Sequence, residues 1–325
     1  MKNNNLHILV AGGAGYIGSV TTASLINAGH LVTVLDNLSS GYIDAVHPEA
    51  RFVNGDTSDR EVIGKICDDG IDVAMHFAAF IEVGESVTDP SKYYGNNLVK
   101  SIAFFDNLIT CGVKRLVFSS TAAVYGEPDR IPLTEDAVLA PVNPYGWSKL
   151  MVETVLRDYE KAYNFRSVSL RYFNAGGAFE SYGERHNPES HLIPRILDAV
   201  IAGVPLRVYG NDYNTRDGSC IRDYIYVGDL AQAHILAADY LMNGGDTNFF
   251  NLGTGSGYTV LEVIETVRRV IGKQVSFTVS DRREGDSPAL VASPVKAQEI
   301  LGWTQEPSGL EDIVRTAWEM KKNEV

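Results

Sequence analysis

Residues 11–19 read Ala-Gly-Gly-Ala-Gly-Tyr-Ile-Gly-Ser and follow the apolar run Leu6–Val10 without a break. Gly12, Gly15 and Gly18 recur at every third position, between a run that reads as a strand and one that reads as a helix. Glycine at such a junction permits a tight turn and lets a ligand approach the main chain, while the helix that follows offers unpaired N–H groups and the positive end of its dipole. That combination suits a pyrophosphate. The second β-branched run, Leu31–Asp36, ends in a carboxylate 18 residues past Gly18. A carboxylate there accepts hydrogen bonds from an adenosine ribose and repels a 2′-phosphate, so Asp36 favours NAD over NADP. A glycine triplet alone would fit a flexible turn about as well. The strand before it, the helix after it and Asp36 together predict the first unit of a dinucleotide-binding sheet.

Four more runs, Arg51–Asn54, Asp72–Phe77, Arg115–Ser119 and Ser167–Tyr172, alternate with helical stretches, as in a parallel α/β sheet. Ser58 with Glu61, and Thr259 with Glu262, read as capping boxes. Gly29, Gly70, Gly112 and Gly272 each stand just past a helical pattern, where a left-handed residue commonly ends the helix. The first six strands therefore predict a doubly wound parallel sheet. From about Gly176 the texture turns to Gly, Asn, Pro and Tyr, and the loops Gly177–Ser190 and Gly210–Ser219 suit a smaller, site-forming lobe. Arg222–Leu241 and Asn248–Leu252 read again as strand–helix and strand. The expected division is discontinuous: a cofactor-binding domain over 1–175 with 222–252, and a substrate-binding lobe from 176–221 and 253–325.

With 325 residues, 45% of them apolar, the chain can bury a sizeable core. No apolar run reaches the roughly 18 to 20 residues that cross a bilayer, and Met1–Gly18 lacks the pattern of a secretory leader. Cys67, Cys111 and Cys220 are odd in number, widely spaced and without metal-ligand spacing, so reduced thiols in a cytoplasmic protein are expected and a metal centre is not. A formal net charge of −13 argues against a nucleic-acid or anionic-membrane surface. A few arginines inside a cleft could still hold an anionic small molecule.

Tyr145 and Lys149 open the helical stretch that follows Pro144, four residues apart and so on one helical face. A tyrosine with a reference pKa near 10 needs a shift of roughly 3 units, about 4 kcal/mol, to act as a base near neutrality. A neighbouring ammonium and a positive nicotinamide both favour the phenolate. Such pairs are common on surface helices, but three features point here to chemistry. The run Leu116–Ser119 delivers Ser119, Ser120 and Thr121 to a strand's carboxyl end, where α/β sites form. Asn96 and Asn97 stand in a second polar loop, after Met75–Ala79. The Tyr-Lys pair also stands at the distance from the glycine turn that is seen in the family this chain resembles.

The glycine spacing and the Tyr-Lys pair resemble those of the extended short-chain dehydrogenase/reductase family, whose fold is a Rossmann-type sheet. The segments AGGAGYIGS, DNLSSG, HFAA-x-x-x-VGES, NN, FSS-x-A-x-VYG, PYGWSK, RYFN, GNDY, IRDY and RREGD stand in the order seen in UDP-glucose 4-epimerases, from residue 6 to about 303. That resemblance implies an isomerase that binds NAD through Gly12, Gly15, Tyr16, Ile17, Gly18, Asp36, Asn37, Asp56, Thr57, Phe77, Ala78, Ala79, Asn96, Tyr145, Lys149 and Phe173. It implies a UDP-sugar held by Thr121, Asn174, His191, Leu192, Arg207, Val208, Tyr209, Arg222, Arg283, Asp286 and Leu290. Arg222 and Arg283 would take the diphosphate and its ribose through their guanidinium forks, and Asp286 the ribose hydroxyls. A homodimer built on Lys92–Cys111 and Tyr145–Tyr163 is implied as well. Two positions depart from the pattern: Ile81 replaces a lysine that some epimerases hold near the cofactor, and Leu290 a tyrosine that some place against the hexose. The shorter Leu290 leaves room for an N-acetyl group.

The implied reaction has Tyr145 take the O4 proton while C4 yields hydride to NAD, with Thr121 sharing the proton path and Lys149 holding the nicotinamide ribose. The 4-keto sugar then turns and receives the hydride on its other face. A 4,6-dehydratase or a decarboxylase would need acidic groups where Ala122 and Ala123 stand. UDP-glucuronate and UDP-pentose substrates stay open. A non-catalytic NAD sensor would not need Tyr145, Lys149 and Thr121.

Overall fold

The structure, a computed structural model, describes residues 5–283, 287–305 and 309–322. Asp286 lies outside the described residues. In chain order the strands are β1 (His7–Ala11), β2 (Leu31–Asp36), β3 (Arg51–Asn54), β4 (Val73–His76), β5 (Arg115–Thr121), β6 (Arg166–Tyr172), β7 (Asn174–Gly176), β8 (Ala178–Phe179), β9 (Tyr182–Gly183), β10 (Leu206–Tyr209), β11 (Ile221–Tyr226), β12 (Asn248–Leu252), β13 (Gly257–Thr259), β14 (Phe277–Ser280) and β15 (Ala289–Leu290). The helices are α1 (Tyr16–Asn27), α2 (Arg60–Cys67), α3 (Val83–Thr88), α4 (Pro90–Tyr93), α5 (Lys100–Thr110), α6 (Pro144–Tyr163), α7 (Leu192–Ala202), α8 (Val227–Met242), α9 (Val260–Ile271), α10 (Val295–Leu301) and α11 (Leu310–Lys322).

Seven parallel strands form the main sheet in the order β12-β6-β5-β4-β1-β2-β3. The interior strand β1 shows why both faces are covered. Ile8 through Ala11 are fully buried, and side chains alternate between faces along a strand. Ile8 and Val10 join Val34, Val117 and Leu170 under Leu25 of α1 and Leu230 and Leu241 of α8. Leu9 and Ala11 join Leu35 and Phe118 under Ile63 of α2, Phe104 of α5 and Val152 of α6. The strand order reverses between β1 and β4, which opens a crevice at their carboxyl ends.

The later chain builds a smaller unit in which β11 pairs with β7, β13 and β15, while β10 pairs with β14. Strand 222–226, which its sequence grouped with the main sheet, is thus paired in the smaller one; α8 and β12 return to the large sheet. Two local readings are also corrected. Asp59, not Ser58, caps α2, its carboxylate accepting from the Glu61 and Val62 N–H groups at 2.9 and 3.2 Å, because the Ser58 hydroxyl donates to Asp56 at 2.7 Å. The helix expected over 92–111 divides into α4, a π-helical turn over Tyr94–Val99, and α5. The capping box at Thr259 and Glu262 is present, and Gly29, Gly70, Gly112 and Gly272 all have positive φ.

Candidate active site

The glycine turn lies in the crevice. Gly12 has φ +84°, and a Cβ there would meet the Ala78 nitrogen at 2.5 Å, so the main chain after β4 packs directly on the turn. A Cβ on Gly18 would meet the Gly12 carbonyl oxygen. Gly15 caps α1 without a side chain, so nothing from the cap covers the first N–H groups of the helix. The cleft beside the turn is lined by Gly12, Gly15, Asp36, Asp56, Phe77 and Asn96, among others. Asn37, Thr57, Ala78 and Ala79 border the same cleft.

Asp36 anchors the turn. Its carboxylate accepts from the N–H groups of Ala14 at 3.0 Å and Leu38 at 2.8 Å, tying the end of β2 to the glycine turn. Across the cleft, burial alone would raise the carboxyl pKa of Asp56. Lys100 at 2.6 Å and the Ser58 donors overcome that and hold it at about 2. The π-helical turn brings in Asn97, which sequence reading placed with Asn96 but gave no role. The buried Asn97 amide accepts from the Phe80 N–H and donates to the Phe80 carbonyl, each at 2.9 Å, so it fixes the loop after β4. Tyr16 and Ile17 send their side chains into apolar clusters, and the Tyr16 hydroxyl donates to the Gly177 carbonyl at 2.6 Å. Toward a cofactor they offer main chain alone.

The catalytic candidates converge where β5 ends. Asn143 caps α6 by accepting from the Gly146 N–H at 2.9 Å, with Pro144 in the first turn. This places Tyr145 at the mouth of the sheet and Lys149 one turn deeper. Lys149 is 3% exposed, donates to the Ser119 carbonyl at 2.8 Å and lies 4.9 Å from the Phe118 ring centroid. Burial lowers its pKa to about 7, against the pull of Glu153. The Thr121 hydroxyl hydrogen-bonds the Tyr145 phenol and accepts from the Ala123 N–H at 3.1 Å. Burial pushes the Tyr145 pKa up, Thr121 lowers it, and Glu82 adds a further rise. The chain's own charges therefore do not make Tyr145 a phenolate; a positive group beside it must supply the rest.

A family model described as "NAD dependent epimerase/dehydratase family" matches residues 8–253. The UDP-glucose 4-epimerase of Lactobacillus helveticus is 44% identical over 322 residues, 98% of each chain. The chain belongs to the NAD dependent epimerase/dehydratase family. A crystal structure of UDP-glucose 4-epimerase from Brucella ovis in complex with NAD superimposes with a TM-score of 0.93 at 44% identity, covering 97% of this chain and 98% of that one. The UDP-Glc/GlcNAc 4-epimerase of Campylobacter jejuni superimposes at 0.85, with 40% identity and 98% and 99% coverage. The glycine cradle and the carboxylate ending β2 fit the nicotinamide dinucleotide on which this epimerase family depends.

Of the residues expected to hold substrate, several meet near the same crevice. Leu290 packs beside Ala122, Tyr125 and Phe173, the last expected at the cofactor, in one small cluster. Leu290 stands next to Arg222 in the register of β15 and β11, and Asn174 opens β7 beside Tyr224 of β11. Arg222 donates to the Ser287 carbonyl at 2.8 Å, and the Arg283 guanidinium lies 5.8 Å from the Tyr209 ring. The Val208 side chain is buried among Ile193, Leu197 and Val263, so it faces the core and leaves its main chain as the part that can border a ligand, while Arg207 beside it is exposed. Leu192 begins α7 and packs against that same core.

His191 is not isolated. Its sequence showed no metal constellation, yet the fold gathers Glu184, His186, Glu189 and His191 with their ligand atoms within 4.8 Å of one another. The available signal was the density of two glutamates and two histidines within residues 184–191. Burial lowers the pKa of both histidines, but Glu184 and Glu189 overcome it, raising His191 and pushing His186 to about 10. Burial would raise Glu184, and the two histidines instead hold it at about 2. The group is a charge-balanced strap. Arg185 pairs with Asp44 at 2.8 and 2.9 Å, and Ser190 donates to Glu82 at 2.8 Å, so the strap ties the smaller unit to the loops after β2 and β4.

Its pH dependence follows from the signs. The raised histidines stabilise fully below about pH 6.5, and for His186 this is lost as pH rises through about 10. The lowered Glu184 stabilises above about pH 4.5, and this is lost as pH falls toward about 2. The difference in melting temperature between parent and Glu184→Gln should be largest near pH 5 to 6.5 and shrink steadily toward pH 10. A difference constant across that range would contradict the ion-paired strap.

Proposed function

We infer that this protein is an NAD-dependent 4-epimerase of UDP-hexoses, interconverting UDP-glucose and UDP-galactose. One observation carries the reading within the family. The Thr121 hydroxyl at the end of β5 meets the Tyr145 phenol at the start of α6, with Lys149 buried behind them, while Ala122 and Ala123 supply no acid for elimination. Such a site moves a proton at one oxygen and does no more.

Gly12, Gly15, Gly18 and Asp36 would hold the dinucleotide, and Lys149 the nicotinamide ribose. When bound, the nicotinamide accepts and returns hydride at C4 and brings the positive charge that favours the Tyr145 phenolate. Tyr145 takes the O4 proton and gives it back, and Thr121 holds the phenol oxygen in line. Arg222 and Arg283 hold the diphosphate, Asn174 and Tyr209 border it, and the resemblance assigns Asp286 to the ribose. The chain works as a homodimer in this reading: Val99, Trp147 and Met151, on the segments that would form the interface, are 61, 41 and 38% exposed. Three free cysteines suit the reducing cytoplasm. Incubating the protein with a panel of UDP-sugars and reading the products by proton NMR tests the activity. Conversion of none of them, or release of NADP rather than NAD on denaturation, would overturn it.

Leu290 sets the breadth of the hexose site. Leu290→Tyr adds bulk where an acetamido group would sit, and overpacking costs roughly 1 to 3 kcal/mol, about tenfold to a hundredfold. The parent should turn over UDP-N-acetylgalactosamine, and the variant should lose kcat/KM for it while keeping UDP-galactose. Parallel loss on both substrates would remove Leu290 from that role.

A further inference from the structure

Helix α6 carries a third residue on the face of Tyr145 and Lys149. Glu153 follows Lys149 by four positions and is fully buried. Its carboxylate accepts three hydrogen bonds from two groups. The Arg171 guanidinium of β6 donates to both its oxygens, at 3.0 and 2.7 Å, and the Ser120 hydroxyl of β5 donates at 2.6 Å. Arg171 is 1% exposed and is itself fixed by donating to the Tyr125 hydroxyl at 2.8 Å, which donates in turn to Asn251 of β12 at 2.7 Å. The network spans four elements and ends one residue before Thr121.

We propose that Glu153 is a positioning residue for the reaction: clamped by Arg171 and Ser120, its carboxylate keeps the Lys149 ammonium charged and seated on the Ser119 carbonyl, so that Lys149 can support the Tyr145 phenolate. The surroundings of Lys149 leave this task to Glu153. From β5 come the Phe118 ring and the Ser119 carbonyl; from β4 comes His76, whose pKa is lowered to about 3 by burial and by Lys149, so it is neutral. From α6 itself come Tyr145 and Glu153. Arg171 lies behind Glu153, Tyr145 in turn adds to the raised pKa of Tyr172 of β6, and Glu82 faces Tyr145 from the loop before α3. Among the described residues, Glu153 is the anion that acts on Lys149.

The sign of the effect is fixed. Without the carboxylate, burial leaves Lys149 neutral over a wider pH range, the phenolate loses support, and the acidic limb of kcat moves to higher pH. A neighbouring opposite charge is typically worth about one unit or more. The inference rests on Tyr145 and Lys149 having the roles given above, which Tyr145→Phe tests separately. The experiment is the pH profile of kcat and KM on UDP-galactose for the whole protein, for Glu153→Gln, and for Glu153→Gln with Arg171→Gln. The double variant strands no buried charge, so it folds where the single variant fails. The acidic limb should rise by about one pH unit or more, with kcat at pH 6 falling about tenfold and KM nearly unchanged. A folded, NAD-retaining variant whose limb coincides with the parent's, or whose kcat falls by one factor at every pH, would overturn the proposal. If Tyr145→Phe stays active, the reading of the site itself fails first.

Discussion

Tyr145→Phe should lower turnover on UDP-galactose by about 10²-fold or more while the protein stays folded and NAD-bound. The ring remains, so its packing on α6 is kept. Only the oxygen that Thr121 hydrogen-bonds is removed. Retention of NAD is expected because the dinucleotide cleft is built by the glycine turn, Asp36 and the loop after β4, none of which touches the phenol oxygen. Steady-state kinetics beside chromatography of the released nucleotide give both readouts. Activity near the parent's on any accepted substrate would show that the proton travels by another group.

The second large effect concerns the buried pair. Arg171→Met leaves the Glu153 carboxylate without its guanidinium in a fully buried site, with Ser120 as its remaining donor among the contacts described above. Removing one partner of a buried pair typically costs about 3 to 5 kcal/mol, because a charge remains without compensation. Replacing both partners costs far less. Urea unfolding of Arg171→Met should therefore show a midpoint well below that of the parent, and the Glu153→Gln/Arg171→Gln variant should recover most of the loss. Equal stability of the single variant and the parent would mean that the carboxylate is protonated or solvated in the native state.

The parts legible in the sequence are those that depend on near neighbours in the chain. The glycine turn, the two strands flanking α1 and Asp36 lie within 31 residues, from Leu6 to Asp36. Tyr145 and Lys149 share a face by helical periodicity alone. The Glu153–Arg171 pair is different. Glu153 reads as an ordinary polar residue of an amphipathic helix and Arg171 as a charged residue in a strand, and only the packing of α6 on β5 and β6 shows that both are buried. The spacing 145, 149, 153 was the available signal. The strap was hidden for a related reason: His191 looked solitary because its partner Glu184 lies seven residues away in a loop without periodicity. Which side chains of Leu206–Tyr209 face outward was also hidden: strand alternation turns Val208 into the core and leaves Arg207 outward. Strand β11 was grouped with the large sheet because a strand followed by a helix continues a βαβ pattern. Its edges are instead taken by β7, β13 and β15.

The central claim is that the configuration at C4 is inverted by removal and return of one hydride within the site. UDP-galactose deuterated at C4, incubated with the purified protein and no added nucleotide, tests it directly by proton NMR. UDP-glucose should form and carry the deuterium at C4, because the label leaves and returns without exchange with water. Washout of the label into solvent, or absence of conversion by a protein that releases NAD on denaturation, would contradict the account.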